Sequence, residues 1–113
     1  MRFTLAAASL IGLAAASPAI VPVIGVSLTY PDGTYSNIFP VPSDGQPYLH
    51  ASKGPVSDVF IQAYHDGTKY HLTECNFLDA AKNIVKAVAI YKPTISEVSP
   101  AVEIAYIECN IGN

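Results

Sequence analysis

From Ile24 to the end of the chain, apolar residues alternate with small or polar ones in short runs, and proline or glycine cuts most of the runs off. A period of two puts alternate side chains on one face of an extended strand, and short alternating runs between Pro/Gly turns are the pattern of an antiparallel β domain. The sequence therefore predicts an all-β fold, a small antiparallel β-sandwich or barrel. It leaves room for one short helix near residues 79–86.

The individual elements follow from local chemistry. Ile24, Val26, Leu28 and Tyr30 alternate with Gly25, Ser27 and Thr29, as in a half-buried strand. Pro31-Asp32-Gly33 sets a turn, because Pro fixes φ and Gly accepts a positive φ. Tyr35 to Val41 resumes extended character, but Pro40 and Pro42 donate no ladder hydrogen bonds, so this strand belongs at an edge or ends early. Ser43-Asp44-Gly45 is the next turn, Tyr48 to Ala51 a short strand, and Ser52 to Pro55 a break. Val56 to Phe77 reads as a hairpin around a two-residue Asp66-Gly67 turn. In that register Ala63 faces Tyr70, Ile61 faces Leu72 and Val59 faces Glu74, with Phe60, Gln62, Tyr64 and His71 on the opposite face. Leu78 to Lys86 is the one stretch with helical character, through Asp79 as a cap and Ala80-Ala81, although Ile84 and Val85 favour strand; it reads as a short helix or a turn. Val88 to Tyr91 and Ile95 to Val98 are short strands ahead of Lys92-Pro93 and Ser99-Pro100. Val102 to Ile111 closes the chain.

The start of the chain is an address. Arg2 precedes an apolar run from Phe3 to Ala16, shorter than the about 20 residues that span a bilayer, and Ala14-Ala15-Ala16 offers the small residues of a cleavage site. Residues 1–16 thus read as a secretory signal peptide, 17–22 as a flexible N-terminal arm, and 23–113 as a single β-rich domain. No later stretch is long and apolar enough to anchor the exported chain in a membrane. Secretion gives the two cysteines a role. Cys75 and Cys109 are the only pair, and in an oxidising compartment they are expected to form one disulfide. Closing a loop of that length contributes at most about 4 kcal/mol on the chain-entropy model.

Charge excludes one class of partner. The chain carries 6 Lys and Arg against 9 Asp and Glu, a net charge of −3, and no Arg follows Arg2. Nucleic-acid binders neutralise phosphates with a basic patch, so nucleic acid is not an expected partner.

Candidate chemistry is sparse. His65, Asp66, His71, Glu74 and Glu108 are the titratable residues worth weighing. A zinc site needs three or four convergent ligands, and two histidines along a hairpin do not supply them; no metal or cofactor is expected. Glu74 and Glu108 each precede a cysteine, so a bridge brings them near one another, as an acid pair for glycoside hydrolysis requires. No nucleophile elbow is present, and no catalytic residue is assigned. The tyrosines combine apolar bodies with polar tips. Tyr35, Tyr48 and Tyr64, with His71, are the candidate binding surface, against the competing role of cross-strand packing.

The leader MRFTLAAASLIGLAAASP and the small β-rich domain behind it resemble the small secreted proteins of filamentous fungi, of the effector-candidate type. That resemblance implies an extracellular protein and transfers no functional residue. The function expected is a secreted, non-enzymatic β domain that binds an extracellular protein or glycan. The alternatives are a small secreted hydrolase with an acidic or His site near the disulfide, and a structural cell-surface protein.

Overall fold

A computed structural model describes residues 21–112. The expected signal peptide and most of the N-terminal arm lie outside the described residues. Eight strands form two antiparallel four-stranded sheets packed face to face, a sandwich and not a closed barrel. They are β1 (Val23–Thr29), β2 (Phe39–Pro42), β3 (Tyr48–Leu49), β4 (Val56–Ile61), β5 (Thr73–Leu78), β6 (Ile84–Ile90), β7 (Thr94–Val102) and β8 (Tyr106–Ile111). The first sheet has the order β2-β1-β4-β7 and the second β3-β8-β5-β6.

Alternation decides what the sandwich buries. Ile24, Val26 and Leu28 of β1, Val59 and Ile61 of β4, and Val41 of β2 point inward from the first sheet. Cys75 and Phe77 of β5 and Ile107 and Cys109 of β8 meet them from the second. Phe77 is the largest of the fully buried side chains. Burying such a side chain contributes about 1.5–3 kcal/mol, so this interleaved layer outweighs any single surface interaction. The Pro-containing strand β2 lies at an edge of the first sheet, where its missing N–H groups cost no ladder bond.

Cys75 and Cys109 are bridged and stand directly opposite each other on β5 and β8, with Cα atoms 4.1 Å apart. Both are buried against the core. The bridge thus sits inside one sheet, across neighbouring strands, and holds their register.

Three local expectations are overturned. β4 and β5 are not partners in a hairpin: β4 pairs with β1 and β7 in the first sheet, whereas β5 pairs with β6 and β8 in the second. Only the connection resembles a hairpin, through an isolated bridge between His65 and Tyr70, a register shifted from the one that placed Ala63 opposite Tyr70. The cause is at the turn. A two-residue type I′ turn needs a positive φ at both central residues, but of the two only Gly67 has one, +100°. Asp66 spends its side chain on a wider loop instead. The chain then changes sheets at Thr73, whose buried hydroxyl donates to the carbonyl of His71 (3.1 Å) and accepts from the amide of Tyr64 (2.9 Å).

The second concerns residues 79–86, where the turn forms and the helix does not. Asp79 Oδ1 accepts from the amides of Ala81 and Asn83, both at 2.9 Å, and Lys82 takes a φ of +65°. The result is a tight loop between β5 and β6, and the β-branched Ile84-Val85 begins the strand that their propensity favours. Third, β7 runs through Ser99-Pro100 to Val102, with a cis peptide at that bond. The strand tolerates Pro100 because it is the other edge of its sheet. Val102 accordingly ends β7 and does not open the last strand, which starts at Tyr106.

Replacing Cys75 and Cys109 together by alanine is expected to lower stability by about 2–4 kcal/mol, read as a lower denaturation midpoint, with a steeper slope because the unfolded chain is no longer cross-linked. A midpoint equal to that of the oxidised protein contradicts the role given to the bridge.

Candidate functional site

The loop between β4 and β5 gathers three of the residues weighed from sequence. Asp66 Oδ1 accepts from the amides of Thr68 (2.8 Å) and Lys69 (3.0 Å) and from the Thr68 hydroxyl (2.6 Å). Its other oxygen, Oδ2, lies 2.6 Å from His71 Nε2. These bonds, led by the one from His71, hold the Asp66 carboxyl far below the usual carboxylate range. His65 Nδ1 accepts from the Gly67 amide at 3.0 Å, and its ring meets Tyr70 edge-on. Tyr64 lies against the His71 ring, with centroids 5.5 Å apart. In a nucleophilic triad the His of a His–Asp pair also contacts a hydroxyl or thiol. Here the nearby hydroxyl, of Thr68, is committed to Asp66 itself. The cluster is built as a clamp that sets the loop's shape.

Glu74 and Glu108 are set by the register of β5 and β8. Glu74 faces Asn110, and Glu108 faces Asn76, whose side-chain amide donates to Glu108 Oε1 at 3.2 Å. The glutamates thus lie diagonally on the outer face of the second sheet, with the cysteine pair between their rows. A shallow hollow there is lined by Glu74, Asn76, Asn110 and the small side chains of Ala87 and Ala89. Among the described residues no group of three or more His, Cys, Asp or Glu converges as a metal site would require.

The four candidate binding residues separate. Tyr48 and Tyr64 are half-buried and pack against the core, and His71 joins Asp66. Tyr35 stands apart from them, 75% exposed. It belongs to a surface that sequence reasoning missed.

That surface is the outer face of the first sheet. Parity sends Ser27 and Thr29 of β1, Phe60 of β4 and Ile95 of β7 outward, and Ser27, Phe60 and Ile95 lie in one row across three strands. The segment 35–38 runs beside β1, held by the Ser36 amide on the carbonyl of Leu28 (2.8 Å), by the Leu28 amide on Ser36 Oγ (3.0 Å) and by Ser27 Oγ on the Ser36 carbonyl (2.8 Å). It raises Tyr35 and Ile38 as a wall facing Phe60 and Ile95. The groove between them has a volume of about 540 Å³ and a floor of Ser27 and Thr29. Ile95 is 70% exposed and Ile38 53%. The solvent face of an antiparallel sheet ordinarily carries polar residues; beside Ser27 and Thr29 this one also carries Phe60 and Ile95. Gln62 and Ile38 both approach Gly25, so a Cβ at residue 25 would push the end of the Gln62 side chain and the Ile38 methyl aside.

A signal for this face does exist in the sequence. Val59-Phe60-Ile61 is apolar at three successive positions, and Ile95 and Val98 have opposite parity, so in each strand one apolar side chain must point outward.

No protein-family model matches the chain, and no curated protein or solved structure matches it. The site is therefore argued from its own geometry.

Two outcomes follow. The Asp66 carboxyl has a folded pKa below its unfolded value, so its contribution to the loop is complete above the unfolded value of about 3.9 and is lost only as the pH falls through the depressed folded one. Hydrogen exchange should accordingly find the Thr68 and Lys69 amides still protected at about pH 3, and exposed at neutral pH in Asp66→Asn. Loss of protection in the wild type at about pH 4 contradicts the clamp. Separately, Gly25→Ala should displace the end of the Gln62 side chain and the Ile38 methyl at little cost in stability, because both are exposed and can move aside, read by the Ile38 methyl resonances. Unchanged Ile38 resonances contradict the close approach.

Proposed function

We propose that this is a secreted, non-enzymatic binding domain whose contact surface is the outer face of the first sheet. One observation carries the reading: Tyr35, Ile38, Phe60 and Ile95 converge on an open groove where the sheet would otherwise present polar side chains to water. Contiguous exposed apolar side chains rimmed by polar ones are a feature of protein interaction sites.

The lining favours a protein over a glycan. Sugars are held by flat aromatic stacking within a polar rim, whereas Ile38 and Ile95 are branched aliphatic groups suited to apolar side chains of a partner. Tyr35 supplies the rigid aromatic contact in which protein interfaces are enriched. Extracellular placement is supported by the leader-like residues 1–16 and by the Cys75–Cys109 bridge, which persists in oxidising compartments. No helix among the described residues is long and apolar enough to cross a membrane. The effector-candidate resemblance fits the same placement.

The oxidised protein, immobilised and exposed to extracellular protein extracts and to a glycan array, should retain a protein and leave the array blank. Tyr35→Ala and Ile95→Ser should each weaken that capture by about tenfold or more, as loss of a central contact worth more than 1 kcal/mol does. Tyr91→Ala, outside the groove, should not. Capture unaffected by the two groove variants, or signal confined to glycans, overturns the reading.

A further inference from the structure

The row of side chains next to the groove gives its occupant a charge. On the outer face of the first sheet, Thr29, Asp58 and Glu97 follow one another across β1, β4 and β7, one row along from Ser27, Phe60 and Ile95. Two residues along a strand is about 6.6 Å, so this acidic row borders the apolar one. Asp58 and Glu97 are direct cross-strand partners, an arrangement that places Cβ atoms about 4.5–5.5 Å apart and makes two like charges repel.

Neither carboxylate has an ion-pair partner among the described residues. The one ion pair there joins His71 and Asp66. Lys53 and Lys82 lie over the rings of Tyr30 and Tyr106. Asp58 has a hydroxyl neighbour, Ser57 Oγ at 3.1 Å, but no cation, and Glu97 is exposed. The two carboxylates have no third ligand with which to hold a metal.

We infer that the groove receives a basic segment of another protein, its apolar side chain seated among Tyr35, Ile38, Phe60 and Ile95 and its Lys or Arg reaching Asp58 and Glu97. This inference rests on the binding role proposed for the groove and adds the chemistry of the partner. A cation between the two carboxylates removes their repulsion at the moment of binding. Complementary charge also selects among apolar partners, since an acidic one would bring further like charge to the same row.

The probes are two synthetic peptides of equal length, one alternating Leu with Lys and one alternating Leu with Glu. Each is titrated into the oxidised protein with NMR detection at Tyr35, Phe60, Ile95 and Glu97. The Leu-Lys peptide should bind at these residues and weaken as salt is raised, while the Leu-Glu peptide should not bind. The double variant Asp58→Asn, Glu97→Gln should lose about tenfold in affinity. Glu97→Gln alone should raise the Tm, since it removes an uncompensated repulsion; an unchanged or lower Tm shows that the chain already compensates the pair and removes the charge argument. If the Leu-Lys peptide fails to bind, if both peptides bind the groove alike, or if the double variant keeps full affinity, the basic partner is overturned while the groove reading stands. Binding that maps away from the groove, or that survives Tyr35→Ala and Ile95→Ser, overturns both.

Discussion

The cross-strand bridge between Cys75 and Cys109 is the constraint from which the rest of the architecture can be reasoned. Because the two cysteines are direct partners, every pair from Thr73 with Ile111 to Leu78 with Tyr106 is held in register. A slip of one residue would exchange the buried and exposed faces of β5 and β8. With the register held, Phe77 and Ile107 face inward, and the first sheet must supply the complementary apolar layer from Val26, Leu28, Val59 and Ile61. Inward placement of those residues leaves Ser27, Asp58, Phe60, Ile95 and Glu97 outside. The groove and its acidic border are therefore consequences of how the core is filled.

Sequence reasoning reached the parts of this fold that local chemistry governs. The β1 alternation, the turns at Gly33 and Gly45, the edge position enforced by Pro40 and Pro42, and the disulfide all depend on a few neighbouring residues. The pairing of β4 did not yield to the same logic. Alternation in Val56–Ile61 and again in Thr73–Leu78 describes two half-buried strands equally well whether they are partners in one sheet or members of two. The choice lies with the loop, where Asp66 collects donors from Thr68, Lys69 and His71, and with the Thr73 hydroxyl that ties the crossing. Those contacts are long-range in effect and carry no periodic signature. Residues 79–86 left two outcomes open, since an Asp followed by two alanines starts a helix or closes a turn, and the β-branched pair after it decides for the turn.

The candidate site was legible only in part. Tyr35 was singled out as a surface tyrosine, but its neighbours in the groove come from three strands and a loop far apart in the chain. Tyr48 and Tyr64 are half-buried against the core and lie outside the groove. Asp66 and His71 make the Asp–His bond that a triad also contains, but the Thr68 hydroxyl beside them bonds Asp66 and not His71, so the group serves as a clamp on the loop. The diagonal placement of Glu74 and Glu108 on one face, each opposite an asparagine, follows from the antiparallel register alone.

The account stands on the outer face of the first sheet being the surface that meets a partner. Hydrogen–deuterium exchange of the oxidised protein with and without its captured partner tests this most directly. Slowed exchange should be confined to residues 35–38 and to the strands carrying Phe60 and Ile95, with the 65–71 loop and β6 unchanged. Protection that falls instead on β6 or on that loop, with the groove segments exchanging as in the free protein, would contradict it.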